Sequence, residues 1–486
     1  MADPLFAGID LGTARVKVGM FDRAGRQRAL AILPHAGPLT AERGEVTQDA
    51  ALWWRTVCKA LRSACAEVDV AAIAALAVCG QGPTLVTTDA KLHPRGPALT
   101  WMDKRAAEEA AALSRQVGHT VEGTGNLVAK ALRLSYLDPD PHRRWCFQAW
   151  DYIAARLCGV PHTSAVWPED ELAASHLPRE QFPPYVAPGQ PVGSVTAEAG
   201  EATGLRVGVP VIAGTNDAIA SCIGCGLVER GDSVILGGTS GGFVLCWDPV
   251  PGAWAPPSGT YPEPPGRRYL GAAVASSGLA LDWLVSLFGA HDYDTLLEGA
   301  AHVAPGADGL VLLPYIAGLF LPYTVLDEAP LVDPAARGVF FGLRAGHTRA
   351  HLVRAVLEGV AFAIRQVHDS TIAQGGATRA TLTVGGQAHS ALWNQIKADV
   401  LGITVLTPEV VEAGTLGAAC LAAAGTAYHP DVWAAARAMV RIASRQEPDP
   451  TTQALYARRY DEVFLPLYPR VRELFSRLGP GPHAQA

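Results

Sequence analysis

Residues 5–21 read LFAGIDLGTARVKVGMF: an apolar run, a short break carrying glycine and threonine, and a second apolar run. This pattern predicts a strand over 5–9, a turn over 10–13 and a second strand over 16–21. Asp10, at the end of a buried strand, costs free energy unless it is paired or bound to a metal. Gly12 leaves bare backbone that a phosphate can approach, and Thr13 adds a hydroxyl, although an ordinary strand-to-turn exit carries the same residues. Arg15 and Lys17 follow on the second strand.

The layout recurs at 233–247, with apolar Val234 to Leu236, then Gly237-Gly238-Thr239-Ser240-Gly241, then Phe243 to Trp247. Two such turns facing each other would cradle a polyphosphate between rows of amide N–H groups. They open two stretches of nearly equal length, which points to duplication of one α/β unit at a period far too long for a solenoid.

Around these hairpins, strands are predicted over 73–79, 85–88, 209–213, 380–384 and 403–406. Helices are predicted over 50–67, 104–117, 146–158, 216–224, 347–373, 390–401 and 415–424. Strands alternating with helices define layered α/β halves. The prolines between 178 and 193 demand loop or extended chain, and 252–266 reads as a Pro-rich surface excursion. The tail over 451–478 reads as one helix bent at Pro466 and Pro469.

Three further segments carry chemistry. Ala213-Gly214-Thr215-Asn216-Asp217 leaves a strand and enters a helix. Asp217 there either caps the helix or serves as a general base toward a hydroxyl, the one proton-transfer group that phosphoryl transfer needs. Gly385-Gly386-Gln387-Ala388-His389-Ser390 suits a flat ring lying on bare backbone, and equally an ordinary tight turn. Glu412-Ala413-Gly414-Thr415-Leu416-Gly417 offers small residues that let a helix approach closely.

The 486 residues have ample length for two or three domains, and 49% hydrophobic with 17% charged residues describes a globular chain. A net charge of −7 leaves no basic footprint for nucleic acid. No signal peptide or apolar stretch of membrane-spanning length is present. Nine cysteines, an odd number, read as reduced core thiols, which points to the cytoplasm. The Cys222/Cys225 pair reads as packing, with no second pair nearby for zinc.

The ordered series of motifs resembles the FGGY carbohydrate kinases, of the superfamily that also holds actin, hexokinase and the heat-shock ATPases; the likeness is greatest to the xylulokinase-like branch. It runs from Gly8 to about Ala424. Its most specific piece is Gly338-Val339-Phe340-Phe341-Gly342-Leu343 followed by Ala355-Val356-Leu357-Glu358. The resemblance implies two RNase H-like (actin-like ATPase) α/β domains, 1–230 and 231–486, with a catalytic cleft between them. It also implies ATP and Mg²⁺, a small sugar or polyol acceptor (a ketopentose such as xylulose, or a related ketose), and a homodimer.

Residue by residue, it implies Asp10 near Mg²⁺, and Gly12, Thr13, Gly238, Thr239 and Ser240 on the phosphates. Gly385, Gly386, Gln387 and Asn394 match the adenosine pocket, and Asp217 the catalytic base with Asn216 beside it. Asp103, Gln81, Gly82 and Gln48 match the sugar side. Xylulokinases usually carry Met-His where this chain has Gln81-Gly82-Pro83-Thr84. Ribulose, gluconate, glycerol or a tetritol therefore stand as alternative acceptors, and an ATP-driven switch or a sugar sensor as alternatives of another class.

Overall fold

The computed structural model describes residues 3–478 except 36–38, 41–43, 122–124, 138, 141, 166, 248–267, 290–291, 322–330, 334 and 374–375. The excursion expected over 252–266 lies outside the described residues.

Both hairpins form. Leu5–Leu11 pairs antiparallel with Arg15–Asp22, and Ser233–Gly237 with Gly241–Trp247. Each opens a six-stranded sheet. In the first, Gln27–Pro34 extends the meander on one side. On the other side lie Ile73–Gly80 and Pro210–Asn216, both parallel to the first strand, and an antiparallel edge, Pro191–Ser194.

The second sheet repeats the plan with Arg268–Val274, Ala380–Val384, Thr404–Pro408 and Ile442–Gln446. Duplication is thus written into the topology, with one change. The edge strand precedes its parallel neighbour in the first sheet and follows it in the second.

Parallel strands buried on both faces read as unbroken apolar runs, and Leu5–Leu11 is buried at every residue. The helix Ala413–Gly425 follows the third parallel strand of the second sheet, and Ala413 to Ala423 are all buried. An all-round apolar helix must lie inside the molecule. It packs on Phe6, Ala75, Ala77 and Cys79 of the first sheet and on Ala220 and Ile223 of the helix Asp217–Gly224. That second helix continues into Cys222 and Cys225, which pack with Val234, Cys246 and Val384 of the other sheet. The two halves are joined through a crossed pair of helices.

Contact there is backbone to backbone. A Cβ on Gly417 would lie 1.8 Å from the Ala220 oxygen, and one on Gly8 1.8 Å from the Thr415 oxygen.

Two expectations need correction. The helix expected over 146–158 is divided: Trp145–Gln148 is a strand paired with Leu85–Thr88, and the helix is Ala149–Cys158. The tail is helical over Pro450–Arg459 and Leu465–Arg477, joined by a π-turn over Tyr460–Phe464. A wider turn there accommodates the chain ahead of Pro466. Cys222 and Cys225 are free and buried, their thiols pushed up by burial. Among the described residues no helix is long and apolar enough to cross a membrane.

Lys397, between the second sheet and the helix Ala391–Leu401, is fully buried. Its amine donates to Thr383 Oγ1 at 3.2 Å and lies 5.3 Å from the Trp393 ring centre. Burial lowers its pKa from 10.5 to about 7. Between those values the unfolded chain carries a proton that the folded one lacks, so stability rises with pH across the window and falls as pH drops through it. Lys397→Met is expected to raise the melting temperature at pH 7 by about 3 °C and to reduce the slope of stability between pH 7 and 10. The slope does not vanish, because buried Lys130 is also lowered to about 7. Melts across that range check it.

Candidate active site

Asp10, Cys79 and Thr215 form one row across three parallel strands, and Leu11, Gly80 and Asn216 the next. The carboxyl ends of these strands therefore deliver Asp10, the Gly12 turn and Asp217 to one place, where open α/β sheets bind ligands.

Asp10 is buried, with Oδ2 3.5 Å from Lys17 Nζ. Its Oδ1 finds no hydrogen-bond partner among the described residues. Burial raises its pKa, with Lys17 opposing and Glu412 adding to the rise. Lys17 also lies 2.5 Å from Glu412 Oε2, just ahead of the junction helix. Burial pulls the Lys17 amine down, but Asp10 and Glu412 more than offset that and hold it above its usual range. The ion triad ties the two halves together beneath the site. Its signal in the sequence is register, since a turn at Thr13–Ala14 sets residue 17 opposite residue 10.

Asp217 begins its helix. Asn216 Oδ1 and Asp217 Oδ1 both accept from the Ala218 N–H, at 2.9 and 2.8 Å. Part of Asp217 reaches solvent, yet the protein around its carboxyl desolvates it. Together with the charge of Asp10, this raises its pKa to about 7.

Gly12 donates to Arg15 O at 3.0 Å and accepts from the His35 ring at 2.8 Å. Gly238, Thr239 and Ser240 are exposed at the second turn. Their carbonyls are held by the start of the helix Gly278–Leu287, with Gly278 N to Gly238 O at 3.0 Å and Leu279 N to Thr239 O at 2.9 Å. Gly385 (φ +79°) sits against Gly237, where a Cβ would come within 2.7 Å of the Gly237 oxygen. A Cβ on Gly386 would meet nothing within 4 Å. Gln387 crosses from this turn to Ser277 Oγ at 2.7 Å. Sequence reasoning missed Ser277. Asn394 is buried and donates to Ala388 O at 2.8 Å, bracing the turn from behind.

The residues expected on the sugar side are more enclosed. Asp103 is fully buried, its carboxylate held by Arg105 at 2.8 Å and by the Val46 N–H at 3.1 Å. Gln81 and Gln48 are buried and bonded to each other at 2.6 Å; Gly82 is partly exposed. Trp101, 42% exposed, donates to Thr13 Oγ1 at 3.2 Å. Cavities of about 340 and 430 Å³ lie elsewhere, one beside Asp140 and Arg143, the other beside Arg354 and Asp399, and neither includes these carboxylates or turns.

Residues 5–135 match the description "FGGY family of carbohydrate kinases, N-terminal domain", and 231–426 match its C-terminal domain. The chain belongs to the FGGY family of carbohydrate kinases and is a sugar kinase of two-domain actin-like ATPase fold. It is 28% identical over 430 residues to xylulose kinase of Escherichia coli K12, covering 82% of this chain and 85% of that protein. To the L-xylulose/3-keto-L-gulonate kinase of the same organism it is 27% identical, covering 93% and 94%. The crystal structure of xylulose kinase from Rhodospirillum rubrum superposes with a TM-score of 0.77 at 27% identity, covering 97% and 99%.

Proposed function

We propose that this kinase transfers the γ-phosphoryl group of Mg-ATP to a hydroxyl of a ketopentose, xylulose or a close relative. The observation that carries the reading is the pair Asp10 and Asp217 at the carboxyl ends of two parallel strands that flank Ile73–Gly80, with the Asp217 carboxyl poised at about 7. A carboxylate with that affinity for protons takes one from an alcohol as the phosphoryl group arrives. Asp10, with one buried oxygen lacking a partner, fits a divalent cation, which when bound would neutralise charge on the phosphoryl oxygens.

The turns at Gly12–Thr13 and Gly238–Ser240 would hold the phosphates through backbone N–H groups and hydroxyls. Gly385 and Gly386 would carry the adenosine. We set the domain boundary at 230/231, where the second hairpin unit begins, and we place the protein in the cytoplasm, on nine free cysteines. Gln81-Gly82-Pro83-Thr84, in place of Met-His, favours testing other polyol and sugar-acid acceptors beside xylulose.

The experiment is ADP release from Mg-ATP with ketopentoses, ketohexoses, aldonates and polyols, against a no-sugar control. Stimulation by a ketopentose of at least about tenfold is expected; no stimulation by any sugar sinks the proposal. For the adenosine side, Gly386→Val is expected to keep the parent melting temperature, since the site is open, while raising KM for ATP about tenfold. An unchanged KM would remove Gly386 from the nucleotide site.

A further inference from the structure

Three hydrogen bonds reach the first glycine turn from the sugar side, and a fourth backs one of them. Gln48 Nε2 donates to the Thr13 carbonyl at 2.7 Å, and Gln81 Nε2 donates to Gln48 Oε1 at 2.6 Å. The backbone N–H of Gln81 donates to Leu11 O at 2.8 Å, and Trp101 Nε1 to Thr13 Oγ1 at 3.2 Å. Gly12 is therefore held on both sides, at Leu11 and at Thr13.

The chain of amides has a fixed direction. A carbonyl only accepts, so Thr13 obliges Gln48 to present its NH₂ group. Gln48 then turns its oxygen to Gln81, which must also present NH₂. The free end is the Gln81 oxygen, buried and without a partner among the described residues. A buried acceptor left unpaired is costly, and only a donor completes it.

A hydroxyl of the acceptor supplies such a donor. The neighbouring cations are already engaged. Lys130 donates to the Pro83 and Thr100 carbonyls at 2.9 and 2.7 Å, and Arg105 pairs with Asp103 and Glu45.

We infer that Gln81 and Gln48 form a one-way amide relay in which a hydroxyl of the acceptor donates to Gln81 and thereby sets Thr13 of the phosphate-binding turn. Gln48 is a positioning residue, and the group that meets Gln81 is an acceptor hydroxyl. This rests on the phosphoryl-transfer reading of the site.

Two measurements test it. In wild-type enzyme, the preferred acceptor is compared with its deoxy analogues, each lacking one hydroxyl other than the phosphorylated one; one of them is expected to be at least about 100-fold poorer in kcat/KM. Gln48→Met, similar in length but unable to donate, is expected to lower kcat about tenfold or more with acceptor KM changed less than about threefold. Its ADP output should exceed its phosphorylated product, because the turn no longer answers to the acceptor. A merely structural role would instead lower the melting temperature and leave ADP and product equal.

Amide hydrogen exchange over residues 11–16 in ligand-free protein reads the relay without turnover, and Gln48→Met should speed it about tenfold. Deoxy analogues that all match the parent acceptor, or unchanged exchange with ADP and product still equal, overturns the inference. If wild type phosphorylates nothing, the kinase reading falls, while the exchange result still decides the relay.

Discussion

Asp217→Asn is expected to lower kcat by about 10³-fold while Mg-ATP still binds with near-parent affinity. The substitution keeps the shape and removes the group proposed to take the proton. Asn216 continues to accept from the Ala218 N–H, so the helix start survives. The wild-type profile carries a second expectation. The Asp217 carboxyl, raised to about 7 by burial and by Asp10, must be deprotonated to serve as the proposed base. As pH falls through about 7 it gains a proton, so kcat/KM drops on the acid side and levels off on the alkaline side. Residual activity in the Asn variant should lack that limb. Steady-state kinetics from pH 5.5 to 9 with calorimetric titration of Mg-ADP measure both. Turnover within about tenfold of parent would remove Asp217 from the base role.

Gly417→Ala is expected to be nearly as damaging to folding as the first is to chemistry. The added carbon would sit 1.8 Å from the Ala220 oxygen and 2.6 Å from its carbon, and both sides of the contact are helix backbone. Relief requires moving a whole helix, whose other face is held by Gly8 against Thr415 and whose near face is also held by Gly224 against Ala413. Overpacking of this kind costs about 3 kcal/mol or more. Loss of soluble protein, or a melting temperature lower by about 10 °C, is the expected result. Melting within about 2 °C of parent would mean that the helices part freely.

The two hairpins, the parallel strands that follow and the helix carrying Asp217 were all legible, because apolar runs punctuated by glycine are local signals. The strand Trp145–Gln148 was not. Its four residues pattern equally as the start of a helix, and its partner, Leu85–Thr88, lies about sixty residues away. At the site, the glycine turns and the two aspartates could be picked out by residue type, and strand order within the first sheet brings Asp10, Gly12 and Asp217 together.

What the sequence withheld was orientation. Asp103 and Gln48 carry polar groups suited to a ligand and spend them on neighbouring protein, and Asn394 spends its NH₂ group in the same way. The Lys17–Glu412 pair joins residues nearly four hundred positions apart, and only the docking of the junction helix brings it about.

That junction helix has a consequence for how the protein is made. The last strand of the first sheet is complete at Asn216, but the helix that covers one face of the sheet begins at Ala413. A chain leaving the ribosome therefore carries Phe6, Ala75 and Ala77 uncovered while nearly two hundred more residues are translated. The nascent first half is a natural client for holding chaperones, and expressed alone it should be soluble only when the Ala413–Gly425 segment is supplied to it.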